Sequence, residues 1–244
     1  MIPEKQIEEF VGKLRQGAAD NLQSVILYGS AASGSFHPER SDINLLCVLR
    51  ETSFTALQAL APALKSWAEQ RRSAPLLFSS DELQRSADVF AIEFMDMKEH
   101  HKVLFGKDPL PALRIPLDRH RSQIEYELRE KLILLRQRLV LSLNDEARLW
   151  ALLMQSLPTF TTLFRHALIA LGGAPPRSKQ ATLQALAARV SFDSSAFAML
   201  LGLREEPDDR KALDVKDIVS HYLNAIQQVT AAVDKMLIES RSAS

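Results

Sequence analysis

Residues 25–49 read VILYGSAASGSFHPERSDINLLCVL, and the order of residue types along this stretch decides the fold. An apolar run ends at Gly29-Ser30, a small-residue segment and the polar loop Phe36 to Arg40 follow, and Ser41-Asp42 opens a second apolar run. Ser24 to Tyr28 predicts a short strand, and Ser30 to Ser35 is small enough for a tight turn into a short helix. Ile43 to Leu49 is continuously apolar rather than alternating, as expected of a strand covered on both faces. A Gly-Ser pair at a strand's end can offer backbone N–H groups and a hydroxyl to a phosphate. An acidic residue at the head of the next strand can hold the metal that accompanies a triphosphate. The two halves of a nucleotide site therefore sit in one stretch.

Outward from this core, Ile7, Phe10, Val11 and Leu14 fall at helical spacing within residues 3–17, with Pro3 suited to a first helical position. Thr52 or Ser53 caps a helix running to about Arg72 that gathers Leu57, Leu60, Ala61, Leu64 and Ala68 on one face. A brief strand over Pro75 to Phe78, a short helix over Ser80 to Ala87, a strand over Val89 to Phe94 and a helix over Asp96 to Leu104 stopped by Gly106 complete the expected set. Alternation of this kind gives a mixed α/β sheet.

From Pro116 onward the periodicity is helical throughout. Helices are expected over Leu117 to Leu143, Asp145 to Leu171 (kinked at Pro158), Ser178 to Val190, Ser194 to Arg204 and Asp214 to Glu239. Gly172, Gly173, Pro175 and Pro176 make one break, and Glu205 to Asp209 around Pro207 another. The fold class is thus α+β, with residues 1–112 as a mixed α/β sheet domain and residues 113–244 as an all-α helical bundle.

Thirty basic and thirty acidic side chains cancel, so no overall charge draws the 244-residue chain to nucleic acid or to an anionic membrane. Apolar residues at 46% and charged residues at 25% describe an ordinary globular composition. Cys47, the single cysteine, lies in an apolar run and excludes an internal disulfide. No signal peptide or membrane-length apolar run is present in these residues, which leads to the expectation of a cytoplasmic protein.

The combination of Gly29-Ser30, a gap, and Ser41-Asp42-x-Asn44 heading an apolar strand resembles the nucleotidyltransferase superfamily of polymerase beta and kanamycin nucleotidyltransferase. The resemblance covers roughly residues 20–105. It implies transfer of a nucleoside monophosphate from a nucleotide triphosphate to a hydroxyl of a small-molecule or protein acceptor, with Mg²⁺ as cofactor. It implies Gly29, Ser30 and Ser41 as nucleotide-binding residues, and Asp42 and Asn44 as catalytic residues and metal ligands. Small members of the family carry a helical domain behind the sheet, as residues 117–244 would.

Two departures stand out. The family pairs Asp-x-Asp or Asp-x-Glu on one face of the strand; here the second position is Asn44, whose amide oxygen can coordinate a metal without supplying charge. The family's third carboxylate belongs on the strand near Ala74 to Phe78, at Pro75 or a neighbour, where this chain has none. Glu93 or Asp96 is the remaining substitute. A set reduced from three charges to one holds Mg²⁺ weakly, so an inactive nucleotide-binding or protein-interaction module is the alternative to the enzyme. As partners, a homodimer mate or a helical partner protein is compatible with the helical half.

Other features have plainer readings. Arg40, beside Ser41, can reach a phosphate, although an exposed loop arginine is the commoner outcome. Adjacent His100 and His101 make a poor chelate and fit a solvated helix end. Arg114 and His120 carry a spacing known from helical ribonucleases, but Pro116 interrupts the helix that motif needs. His166 and His221 fit hydrogen-bonded core or boundary positions, and Arg129, Lys131, Arg136 and Arg138 fit the solvated side of a long helix.

Overall fold

A computed structural model describes residues 3–34, 36, 41–176, 178–205 and 213–242. Arg40, most of the loop before it and the Pro207 break lie outside the described residues. The chain divides into two compact units, Met1–Pro116 and Leu117–Ser244.

The first unit is built on a four-stranded sheet of β1 (Leu22–Tyr28), β2 (Asn44–Leu49), β3 (Leu76–Ser79) and β4 (His101–Gly106), in the order β3-β2-β1-β4. β1 pairs antiparallel with both β2 and β4, whereas β2 and β3 run parallel. That parallel pair requires a crossover, supplied by α2 (Phe54–Ala68). Ser53 caps α2 by accepting from the Ala56 N–H.

β2 is covered on both faces, as its unbroken apolar run requires. Ile43, Leu45, Cys47 and Leu49 join one core with Leu14 of α1 (Glu4–Ala18) and Trp67 of α2. Leu46 and Val48 join another with Leu83 of α3 (Ser80–Arg85) and Phe94 and Met97 of α4 (Ala91–Glu99). Phe10 stacks on Trp67 with ring centroids 4.3 Å apart, joining α1 to α2. A stacked pair of this kind adds about 0.5–1.5 kcal/mol beyond its area burial.

Two expectations fail between residues 89 and 106. Val89 to Phe94 is not a strand: Phe90 precedes α4, whose Phe94 and Met97 join the core against the sheet at helical spacing. Phe90 and Phe94, four positions apart, both set their rings edge-on to Phe78 of β3. The segment Asp96 to Leu104 is not one helix either, since α4 stops at Glu99 and β4 begins at His101. A long-range pairing decides this switch, because β1 needs an antiparallel neighbour and Tyr28 meets His101 across the ladder. His101 is accordingly a strand residue rather than part of a helix end, with Nε2 2.8 Å from Asp108 Oδ2.

The second unit is helical among its described residues: α5 (Leu117–Val140), α6 (Glu146–Ala170), α7 (Lys179–Ala187), α8 (Ser195–Glu205) and α9 (Val215–Ser242). Pro158 lies inside α6, which continues through it. His120 and His166 are both fully buried, with Nε2 of one 2.9 Å from Nδ1 of the other. His221 is exposed and bonds Asp193 at 3.0 Å. Tyr222 is buried against Phe160 and Phe197, and that burial raises its hydroxyl pKa above the ordinary value. No helix among the described residues is long and apolar enough to cross a membrane.

Candidate nucleotide site

The site begins where β1 ends. Gly29 has φ +74°, a left-handed conformation that favours glycine, and it turns the chain into a single 3₁₀ turn over Gly29–Ala31. The Gly29 carbonyl accepts from the N–H groups of Ala32 and Ser33, both at 3.0 Å. Ser30 is half-buried in this turn, with Ala31 buried behind it.

β2 brings the second half alongside. Its register places Asn44 opposite Tyr28, so the Asn44 side chain lies directly against the turn. A Cβ added to Gly29 would come within 3.0 Å of Asn44 Nδ2. Ile43 and Leu45 face the α1–α2 core, which turns Asn44 to the opposite face along with Leu46 and Val48. Asn44 is half-buried, and among the described residues its amide has no hydrogen-bond partner. Asp42, two residues earlier, is exposed, and its Oδ2 accepts from Ser73 Oγ at 3.1 Å. Ser41 beside it is half-buried.

β3 lines the other side. Leu46 pairs with Leu76 and Val48 with Phe78, so Leu76 shares the face of Asn44. Pro75, named from sequence as the counterpart of the third carboxylate, is buried on the other parity. None of the residues of β3 is acidic. Glu93 lies on α4, not on a strand, and acts electrostatically on Tyr28. Burial, and secondarily the Glu93 carboxylate, raise the Tyr28 hydroxyl pKa above its usual value.

The sequence-predicted residues Gly29, Ser30, Asp42 and Asn44 are therefore placed around one strand end, while Ser73 was not anticipated. Its serine signature is too common to stand out, and only the approach of the chain into β3 carries it to Asp42. As a donor set for Mg²⁺, these residues offer one carboxylate, one amide oxygen and hydroxyls. Among the described residues, no group of three or more His, Cys, Asp or Glu is placed to hold a metal. That set fits a cation retaining most of its water and held partly by a triphosphate, and not a pair of ions held by the protein.

The family model of the nucleotidyltransferase domain matches residues 4–130. A spectinomycin adenyltransferase, AAD(9) from Enterococcus faecialis, solved with ATP and spectinomycin, is similar over 96% of this chain and 98% of its own, at 16% identity and a TM-score of 0.54. A nucleotidyltransferase-like protein from Exiguobacterium sibiricum covers 98% of this chain and 80% of its own, at 14% identity and a TM-score of 0.40. A toxin–antitoxin complex with AMP-PNP matches 41% of this chain and 74% of its own, at 24% identity and a TM-score of 0.30. No curated protein sequence matches the chain significantly.

Proposed function

From a chain that belongs to the nucleotidyltransferase domain family, we propose a protein that binds a nucleoside triphosphate at the Gly29–Ser30 turn and transfers its nucleoside monophosphate to a hydroxyl only weakly or not at all. The observation that carries this reading is the acidic inventory around Asn44. Among the described residues, Asp42 is the one carboxylate offered by the strand end, and the neighbouring face of β3 presents Leu76. In this reading Ser30 and the backbone of the turn hold phosphate oxygens, and Ser41 steadies the approach to β2. Asp42 and Asn44 supply the protein's ligands to a single Mg²⁺ accompanying the triphosphate. Bound Mg²⁺ would neutralise phosphate charge and favour pyrophosphate as a leaving group. With one anionic ligand instead of three, the protein's own grip on the ion is weak, so binding outlasts transfer.

Glu93 favours a second reading, in which transfer is retained. Its charge already reaches Tyr28, the residue opposite Asn44, and an acceptor hydroxyl of a small molecule or protein would then meet a second carboxylate at the site. A cytoplasmic location fits both readings, and we assign the helical unit the partner role, with a homodimer mate or another helical protein.

Thermal-shift titration of the full chain with ATP, GTP, CTP and UTP, with and without Mg²⁺, tests the binding. Stabilisation that requires Mg²⁺ and disappears in Asp42→Asn is the expected result; no shift with any nucleotide would overturn it. In Asn44→Asp the Mg²⁺-dependent shift should grow, because a second anionic ligand is added on the same face. Transfer measured as pyrophosphate release should stay near background in the parent, and a robust release lost in Glu93→Gln would establish the second reading instead.

A further inference from the structure

Ser73 stands at the strand end without a part in holding the triphosphate. It lies in the short segment between α2 and β3, is exposed, and donates from Oγ to Asp42 Oδ2 at 3.1 Å. Its backbone is anchored in the core. The Ser73 carbonyl accepts from Trp67 Nε1 at 2.9 Å, and Trp67 is 1% exposed and stacked on Phe10. The turn leading to it is fixed as well. The Gln70 N–H donates to the Trp67 carbonyl at 3.1 Å and the Arg71 N–H to the Ala68 carbonyl at 2.9 Å, with Arg71 at φ +57°.

The Trp67 bond uses the carbonyl, so it would form with any residue at position 73 and does not account for a hydroxyl there. A serine held by its backbone and open to solvent at its side chain loses little further freedom when its hydroxyl is aimed. Among the described residues, its target is the one carboxylate that the strand end offers. A hydroxyl bonded to a carboxylate is a nucleophile beside its base. Asp42 Oδ2 already accepts the Ser73 proton, which leaves Oδ1 for the cation that accompanies a triphosphate. Because this hydroxyl belongs to the chain itself, it reaches the site without the entropy cost of recruiting a second molecule.

We propose that Ser73 is an acceptor of the nucleoside monophosphate, so that the chain nucleotidylates itself once, in cis. The proposal rests on the reading of the Gly29–Ser30 turn and Asp42 as a nucleoside triphosphate site. Ser73 Oγ attacks the α-phosphorus and the Oγ–P bond forms. The bond from that phosphorus to the oxygen bridging to the β-phosphate breaks, and pyrophosphate leaves with the electron pair. The Ser73 proton passes to Asp42 Oδ2 and from there to water. A reaction that consumes its own acceptor ends at one nucleotide per chain, so pyrophosphate release stops at one equivalent. A single event of this kind suits a site too poor in carboxylates for rapid turnover.

Incubation of the full chain with each of ATP, GTP, CTP and UTP in the presence of Mg²⁺, followed by intact-mass spectrometry and peptide mapping, tests it. With at least one nucleotide the wild-type protein should gain the mass of a single nucleoside monophosphate at Ser73, with a rate constant unchanged on dilution of the protein. Ser73→Ala should lose the adduct, and Ser73→Thr, which keeps a hydroxyl, should retain it. Asp42→Asn should slow its formation about a hundredfold or more, the typical worth of a general base. Far-UV circular dichroism confirms that each variant is folded, and mapping on the wild-type chain decides the matter if one of them is not. A wild-type chain left unmodified by all of these nucleotides, an adduct mapped to another residue, or a rate constant that rises with protein concentration overturns the proposal. The Mg²⁺-dependent thermal shift, measured on the same wild-type samples, separates the failures. A shift without an adduct removes the acceptor and leaves the binding reading standing, whereas neither shift nor adduct removes both.

Discussion

At Gly29 the lack of a side chain lets the turn pass close to Asn44 of β2. The residue adopts φ +74°, and a methyl there would meet the Asn44 amide at 3.0 Å. Gly29→Ala should therefore cost about 1–2 kcal/mol of stability from the left-handed conformation alone, read by urea unfolding. Combining it with Asn44→Ala should return part of that loss by removing the contact. Cys47 supplies a pH signature. It is buried in β2, and burial pushes its thiol pKa up to about 12 from an ordinary value near 9. The folded state keeps this proton where the unfolded chain releases it. Its contribution to stability is therefore complete below about pH 9 and is lost as pH rises toward about 12, with a slope of at most roughly 1.4 kcal/mol per pH unit. Cys47→Ala should flatten the alkaline limb of the stability profile, and the native thiol should resist alkylation at neutral pH. At this scale the sequence was most informative. The position of Asp42 and Asn44 at the head of the second strand was legible, whereas the Ser73–Asp42 bond was not, since it depends on a backbone path across 31 positions.

Among the elements, those with local signals were readable and those chosen by distant pairing were not. α2 was marked by Thr52 or Ser53 and an apolar face, and α3 by Ser80 followed by Asp81 and Glu82, although its cap is Ser79. There the structure completes a capping box in which the Glu82 N–H donates to Ser79 Oγ, and the Ser79 N–H donates to Glu82 Oε2 at 2.7 Å. That backbone bond is the largest cause lowering the Glu82 pKa. Ser79→Ala should destabilise the first unit by about 1 kcal/mol, measured by chemical denaturation. Glu82→Gln should weaken the same cap, and its effect should fade in acid, where protonation of the wild-type carboxylate removes the charge difference. The stretch from Val89 to Gly106 was misread because apolar residues in short runs satisfy both periods, and nothing local announces that residues 101–106 will pair with β1. Helices of the second unit were long enough for their periodicity to speak clearly.

For the whole molecule, the two tryptophans fall one to a unit, Trp67 buried in the first and Trp150 half-buried in the second. Single-tryptophan variants, Trp150→Phe and Trp67→Phe, should thus report on each unit separately. Nucleotide with Mg²⁺ should raise the transition followed by Trp67 and leave that followed by Trp150 unmoved. Coincident shifts in both would show that ligand stabilises the chain as one cooperative body. The sheet order β3-β2-β1-β4 also has a consequence for synthesis on the ribosome. β1 can pair with β2 soon after residue 49 emerges, but its other edge waits for β4, whose Gly106 pairs with Ser24. That is some 57 residues later, roughly 3–11 s at ordinary elongation rates. Through this interval the nascent chain carries Val25, Ile26 and Leu27 on an open strand edge, a template for pairing with neighbouring chains. The yield of native protein should then depend on how fast residues 50–106 are translated, and slowing that segment should favour aggregation.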